Sequence, residues 1–505
     1  MATVTSFLHA ILHYVRAGWN YIYTLIHRRR NRHPSDADGD TNNGILLSLF
    51  TGQRRTVKFD DTGIQVAIGN QIAEGGFSYI FEAYPMNQND NSGVNNEPRM
   101  KYVLKRINCS NNHELIQACK SEANVHRILF QSSSASSQRK TNNHPNLLEL
   151  LGLKFDNREC CYMLFPYIPQ SLRGEITKRN MLNEGSRQRM PFSTREVLQI
   201  FGGLVDALIA MHDANLSHRD VKIENVLLKK SDHCGYRVET YDHYIPVLMD
   251  YGSAGPLKTI VQVMNMSSLQ QQQHQTSSLL STTTTKVVED ASMFTTMSYR
   301  PPELFEGGMT TMKQTSTSEG AENVLDYGKV DVWSLGCVLF GLMHGASPFE
   351  MEFLRTHNDN YHAYYHANQR QQRQQEMLQQ QQFGLVRIIE CTHLKILGEV
   401  PFPPWSTISS ENEEGGGTNG KYPLSLYRFV RYMVHHDRST RPHIHEVEGK
   451  FDNLHLELLG EPWISHNDIN RQQRDGTTHS AKGNGVANMG QHDDFDSLIA
   501  SRRGG

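Results

Sequence analysis

Apolar positions along this chain fall into three regimes. Between residues 55 and 107, four runs alternate or are rich in β-branched and aromatic residues: RTVKF (55–59), IQVAIGNQI (64–72), YIFEAY (79–84) and YVLKRI (102–107). That pattern predicts strands, and KSEANVHRIL at 120–129 predicts a helix after them. Nearer the start, Leu8, Leu12, Val15, Trp19, Ile22 and Ile26 recur at helical spacing beside a narrow polar stripe of His9, His13, Arg16 and Asn20. The third regime has no apolar rhythm. It comprises an Asn-rich tract (87–97), a Ser-rich one (132–138), a Gln/Ser/Thr-rich one (267–286), a Gln-rich one (369–382), a Gly-rich one (411–421) and the tail after about residue 466. Such tracts bury too little apolar surface to offset the entropy of ordering, which predicts mobile loops set into an otherwise ordinary domain.

Composition agrees with that division. The chain has 505 residues, of which 38% are hydrophobic, and a mean hydropathy of -0.54. Polar insertions dilute a normal core, and what remains between them is about 300 residues, enough for one catalytic domain. A formal charge of -3 excludes a globally basic nucleic-acid binder. Seven cysteines without a CxxC pair speak against a zinc site or disulfide framework and for a reducing compartment.

The helix predicted at 7–26 admits three readings: lying in a membrane interface, spanning the bilayer with Arg16 in mid-span, or packing on a soluble core. Arg28, Arg29 and Arg30 follow the apolar run instead of preceding it, which does not fit a cleaved signal peptide.

Candidate chemistry gains weight only in combination. The glycine turn in AEGGFSYI (73–80) lets backbone N–H groups approach phosphate, yet such a turn alone is more often a plain hairpin. Lys105 alone reads as a solvated strand lysine, and Glu122 alone as a solvated helix carboxylate. The same chain then carries HRDVKIEN (218–225), PVLMDYGS (246–253), SYRPPELF (298–305), DVWSLGCVLF (331–340) and RPHI (441–444), in that order. With this motif set the chain resembles the eukaryotic protein kinases across roughly residues 56–458. Within them it resembles the Numb-associated kinase family, closest to its small Golgi-associated branch of myristoylated and palmitoylated serine/threonine kinases. Residue 2 is Ala and the first 108 residues contain no cysteine, so the lipidation signals of that branch are absent here.

The resemblance implies an α+β, bilobal protein-kinase fold with a small β-rich N-lobe and a larger helical C-lobe, to which the residue pattern adds low-complexity insertions and an N-terminal helix. Together they divide the chain into an amphipathic or membrane-anchor helix (1–33), a linker (34–54), the N-lobe and hinge (55–168), the C-lobe (169–460) and a disordered tail (461–505). It also implies ATP and Mg²⁺ as cofactors and phosphoryl transfer to protein Ser/Thr, at a cytosolic membrane face in membrane traffic. Trafficking adaptors are then candidate partners, beside a pseudokinase-type scaffold or a dual-specificity enzyme as alternatives.

Site roles follow from the same resemblance. Residues Ala73, Glu74, Gly75, Gly76, Phe77, Ser78 and Ile80 form the phosphate loop and its flank. Only Gly75 keeps one of its three usual glycine positions. Lys105 is expected to hold the α- and β-phosphates and pair with Glu122, and Pro166 and Ile168 to meet adenine behind the gatekeeper Phe165. Asp220 takes or orients the substrate proton, Lys222 contacts the γ-phosphate, Thr296 bonds the catalytic aspartate, and Asn225 and Asp250 hold the metal. Arg219 is placed to pair with a phosphorylated residue among Thr282 to Thr285 or Thr295, the alternative being that the threonine run is low-complexity drift. His126, Tyr251 and His218 fall in the column of side chains that links helix and loops in kinases. Tyr251 stands where the usual motif has phenylalanine, and two readings are open there: a His126–Tyr251 hydrogen bond, or both polar tips turned to water with only the rings packed.

Overall fold

Alternation in residues 55–107 builds the first layer. The computed structural model describes residues 55–75, 78–86, 102–130, 144–156, 159–179, 181, 190–230, 244–262, 282–305, 324–353, 386–401 and 422–465. Gly76, Phe77, the helix predicted at 7–26 and the Asn-, Ser-, Gln- and Gly-rich tracts lie outside these residues, as do the linker 34–54 and the tail from residue 466.

Six strands form one antiparallel sheet: β1 (Thr56–Lys58), β2 (Gln65–Gly75), β3 (Ser78–Pro85), β4 (Tyr102–Asn108), β5 (Gly152–Asp156) and β6 (Cys160–Pro166), in the order β1-β2-β3-β4-β6-β5. Each predicted run falls on its strand within a few residues. Pairing from β2 to β3 runs up to Gly75 opposite Ser78, so the two strands form a hairpin. Register then sets one rung across the sheet, Ala73 beside Ile80, Ile80 beside Lys105 and Lys105 beside Met163. Residues opposite one another share a face, so Lys105 stands on the face that carries the glycine turn's flank.

Helix α1 (His113–Phe130) packs on this sheet through Ile116, Cys119 and the polar pair Glu122 and His126, while Val125 joins the core of the helical part. Beyond β6 the chain turns helical: α2 (Leu172–Lys178) and α3 (Thr194–Asp213) precede the short strands β7 (Leu216–Ser217), β8 (Val226–Lys230) and β9 (Tyr244–Leu248). Helix α3 starts on a reciprocal cap, in which Ser193 and Glu196 satisfy each other's backbone N–H groups. From Val197 to His212 nearly every residue of α3 is buried, as expected of a helix apolar on most faces.

Strands β10 (Gly255–Pro256), β11 (Lys258–Gln262) and β12 (Thr282–Thr283) lead into α4 (Thr284–Phe294), and β13 (Val324–Asp326) leads into α5 (Tyr327–His344). Helices α6 (His393–Leu397), α7 (Leu424–Met433) and α8 (Ile444–Leu459) complete the helical layer. Helix α5 is buried on all sides and ends at Gly345 with φ 97°, where a residue without Cβ is favoured.

The Gln/Ser/Thr tract is read from sequence as loop through residue 286, but its end is ordered. Strand β11 pairs with β12 and β13, and Val287 and Ala291 of α4 bury against Val261, Leu325, Tyr327 and Val330. The signal was local: two apolar residues four apart placed one face of a helix on that patch.

Candidate active site

Lys105 and Glu122 meet in a dry setting. The lysine Nζ donates to Glu122 Oε1 at 2.9 Å and Oε2 at 3.0 Å, and the two side chains are 4% and 7% exposed. Burial alone would lower the lysine pKa, but the charges of Glu122 and Asp250 outweigh it and hold the ammonium well above the ordinary range. Burial raises Glu122, with Asp250 adding to it and Lys105 opposing. The lysine thus keeps its charge, balanced by two carboxylates that crowd one another. A point one bond from the Gly252 Cα, where a Cβ would stand, is 3.4 Å from Asp250 Oδ1 and 3.7 Å from Glu122 Oε2. All three charges therefore share one corner of the cleft.

Across from them, the loop between β7 and β8 is held by hydrogen bonds. Thr296 donates to Asp220 Oδ1 from its hydroxyl (2.8 Å) and its backbone N–H (3.0 Å). Lys222 Nζ donates to Asp220 Oδ2 and to Thr296 Oγ1, both at 2.9 Å. Asn225 Nδ2 donates to the Asp220 carbonyl (2.9 Å) and to Oδ2 (3.2 Å). Asp220, Lys222, Asn225 and Thr296 thus form one constellation, although Thr296 lies 76 residues from the aspartate in sequence.

Asn225 Oδ1 is buried and has no hydrogen-bond partner. A buried carbonyl oxygen without a donor is the kind of atom that a hard cation satisfies. Asp250 would supply the carboxylate for such an ion, and the Met249 N–H bonds the Asn225 carbonyl at 2.9 Å, tying the two segments together. This donor set fits Mg²⁺.

Backbone strain appears at two of these positions. Arg219 and Asp250 both have φ 66°, the left-handed region that costs a non-glycine residue about 1–2 kcal/mol. At Arg219 the compensating contact is Asp331 at the start of α5. Its carboxylate accepts the N–H of His218 (2.8 Å) and of Arg219 (2.8 Å), and it also meets His212 Nε2 at 2.9 Å. His218 in turn accepts the Asp220 N–H at Nδ1 (3.3 Å) and donates from Nε2 to the Met249 carbonyl (3.1 Å).

The remaining predicted residues line the sheet side. Ala73, Ser78 and Ile80 are buried, and Glu74 is exposed at the hairpin end. Pro166 closes β6 opposite Tyr102, and Ile168 lies half-buried just beyond, so both border the sheet's end next to Phe165.

One expectation is corrected. Tyr251 packs its ring on His126 at 4.7 Å and on His218 at 5.7 Å, but no His126–Tyr251 hydrogen bond forms. The phenol instead donates to the Leu248 carbonyl and accepts the Leu148 N–H, both at 3.0 Å, and His126 Nδ1 is left without a partner. Backbone groups buried beside the hydroxyl outcompete an imidazole that meets the ring face. Burial and the Lys105 charge also push the His126 pKa down to about 3, so this imidazole is neutral.

Arg219, in turn, is already engaged. Its guanidinium donates to the Pro256 carbonyl (2.8 Å) and Ser217 Oγ (3.2 Å) and lies 3.8 Å from the Tyr327 ring centroid. A Cβ on Gly255 would stand 2.7 Å from its Cζ, so the guanidinium is closely packed on that side as well. Thr295, one of the expected phosphate acceptors, is buried, donates to the Ala291 carbonyl and accepts from Arg300. The side chains of Thr282 to Thr285 lie outside the described residues.

Sequence reasoning missed Asp331 and the buried Arg441–Glu303 pair, a two-pronged contact of 2.6 and 3.0 Å that joins the RPHI and PPELF motifs. A lone carboxylate opening the apolar run DVWSLGCVLF was the available signal, because a buried charge requires partners.

Compared with known proteins, residues 91–450, well over half of the chain, match the family model for the protein kinase domain. The match begins after the glycine turn. A probable serine/threonine-protein kinase of Dictyostelium discoideum is 28% identical over 337 residues, covering 63% of this chain and 32% of that protein. Serine/threonine-protein kinase 16 of Rattus norvegicus is 29% identical over 284 residues, 56% of this chain and 70% of that protein. Serine/threonine-protein kinase sel-5 of Caenorhabditis elegans is 28% identical over 315 residues, 61% of this chain and 22% of that protein. The chain therefore spans about a third of the Dictyostelium relative and less of the nematode one.

Proposed function

The chain belongs to the protein kinase domain family, and on that premise we propose that it is an active, Mg²⁺-dependent serine/threonine kinase that uses ATP. The observation that carries this reading is the joined network of Asp220, Lys222, Asn225 and Thr296 facing the Lys105–Glu122 pair, with Asn225 Oδ1 left open. A pseudokinase that had lost function would have no reason to keep every charged and amide group of the reaction in place.

Each residue then has one task. Lys105 holds the α- and β-phosphates with a charge that Glu122 and Asp250 secure. Asp220, with one oxygen fixed by Thr296 and the other by Lys222, orients the incoming hydroxyl and takes its proton. Lys222 reaches the γ-phosphoryl as a point charge. Asn225 and Asp250 would hold Mg²⁺, which when bound neutralises phosphate charge. A short Ser or Thr hydroxyl suits a site where Lys222 and Thr296 already close one side of the aspartate.

The motifs further favour the Numb-associated kinase family, and the relatives' names favour Ser/Thr as acceptors. The apolar run at 7–26 followed by Arg28 to Arg30 supports placement at a cytosolic membrane face, where anionic lipid attracts the arginines. Protein substrates in membrane traffic, adaptors among them, are the class this reading offers. Transfer from radiolabelled ATP to a generic Ser/Thr protein substrate, compared with Asp220→Asn, tests the activity. Wild-type protein with no more transfer than the variant would overturn it. Sedimentation of the full chain with anionic liposomes tests the membrane part, and failure to co-sediment would remove it.

A further inference from the structure

Asp250 must keep a strained backbone with φ 66° and still hold its carboxylate in the corner shared with Lys105 and Glu122. Relaxing that strain would carry the carboxylate away, so something on each side has to hold the chain. On one side the Met249 N–H is fixed by the Asn225 carbonyl. On the other stands Tyr251, 1% exposed. Ring packing on His126 and His218 is available to phenylalanine as well, and the unpartnered His126 Nδ1 adds no hydrogen bond. What tyrosine adds is its hydroxyl, which joins the Leu148 N–H to the Leu248 carbonyl. Those two residues belong to segments already bridged in parallel, with Leu148 N–H also 3.0 Å from the Leu248 carbonyl and Leu248 N–H 2.8 Å from that of Asn146. The hydroxyl therefore clips residue 251 to a fixed two-stranded anchor under α1.

We infer that Tyr251 is a positioning residue whose hydroxyl latches residues 248–251 in the form that keeps Asp250 at the metal site. The inference rests on the kinase reading above. Swinging the segment out breaks both hydroxyl bonds, whereas a phenylalanine in the same pocket would leave with neither. Removing the hydroxyl spares the fold, because the Leu148 N–H and the Leu248 carbonyl remain bonded to each other.

Hydrogen–deuterium exchange of the full chain without ligand reads the latch directly. In Tyr251→Phe, amides from Leu248 to Ser253 should exchange about tenfold faster, the effect of one net hydrogen bond, with α3 and α5 unchanged. The Mg²⁺ concentration giving half-maximal phosphoryl transfer should rise by about the same factor, while the rate at saturating Mg²⁺ stays within about twofold. Should Tyr251→Phe prove poorly folded, wild-type amides from Leu248 to Ser253 should exchange as slowly as those of α3, and faster exchange there would overturn the latch. Unchanged exchange at residues 248–253, with wild-type protein active, would overturn the latch. Wild-type protein inactive at every Mg²⁺ concentration would overturn the kinase reading, and the latch with it.

Discussion

The two halves of the site are built on opposite principles. The sheet side contributes one ion pair, Lys105 with Glu122, carried by a single strand and a single helix and shielded from water. The helical side fixes Asp220 by Thr296, Lys222 and Asn225, and fixes the backbone beneath it through Asp331 on the fully buried α5. Redundancy makes the second half a rigid template. Concentration makes the first half sensitive, because moving α1 by a few ångströms breaks the Glu122 bonds to Lys105. The Tyr251 ring column and the Leu148–Tyr251–Leu248 clip are where the halves touch, which makes that seam the natural place for control.

Substituting the chemical group on the rigid side should give the largest loss. Asp220→Asn is expected to slow phosphoryl transfer by about 10²–10⁴-fold, the usual worth of a positioned general base. Its thermal midpoint should fall only slightly, because the amide keeps one oxygen for Thr296 and Lys222, facing the new NH₂, retains Thr296 Oγ1 as an acceptor. A large drop in melting temperature would mean that the network is less redundant than its geometry indicates.

On the sensitive side, Lys105→Ala should lower kcat/KM for ATP by about 10²–10³-fold, comparable to losing one charge-stabilising donor. Glu122→Gln keeps a hydrogen-bond acceptor for the lysine and should cost only about tenfold, one net hydrogen bond. Steady-state kinetics that placed Glu122→Gln below Lys105→Ala in activity would break the comparison, since the glutamate would then do more than hold the lysine.

The seam also predicts acid lability. Burial, with the Lys105 charge added, lowers the His126 pKa to about 3 in the folded chain from an ordinary 6.5, and burial lowers His344 to about 3 likewise. Between those values the unfolded chain takes up protons that the folded chain refuses. Stability from this source is complete above about pH 6.5 and falls as the pH drops toward 3. The slope approaches about 1.4 kcal/mol per pH unit for each histidine. Urea denaturation from pH 7 to pH 4 should show the decline, and His126→Phe should flatten it by up to that amount. An unchanged slope in the variant would mean that His126 takes its proton without unfolding.

The smallest effect is expected where phosphorylation was first expected to act. Replacing Thr282 to Thr285 together by Ala should leave transfer within about twofold, because Arg219 is bound to Pro256 and Tyr327 and α4 is held by its own apolar patch. A loss beyond tenfold, together with phosphate found on these threonines by mass spectrometry, would restore the sensitive role to this segment.

Much of this molecule is written in its order of residues. Alternation located four of the six strands of the first sheet, since a half-buried strand shows its period locally. The spacing of HRDVKIEN, DYG and the flanking motifs named the polar residues of the site, because each chemical role demands a particular side chain. Contacts between distant segments were decided only in three dimensions. The sequence set Tyr251 beside His126 in a column but could not say which partner its hydroxyl would choose, and that choice fell to the buried backbone of residues 148 and 248. It placed Arg219 next to the catalytic aspartate, while only the fold showed that arginine on the Pro256 carbonyl and the Tyr327 ring. Asp331 looked like one residue of an apolar helix until three donors converged on it. The difference is physical: periodicity and side-chain chemistry are local properties, whereas the satisfaction of a buried polar group depends on whichever segments folding brings within about 3 Å of it.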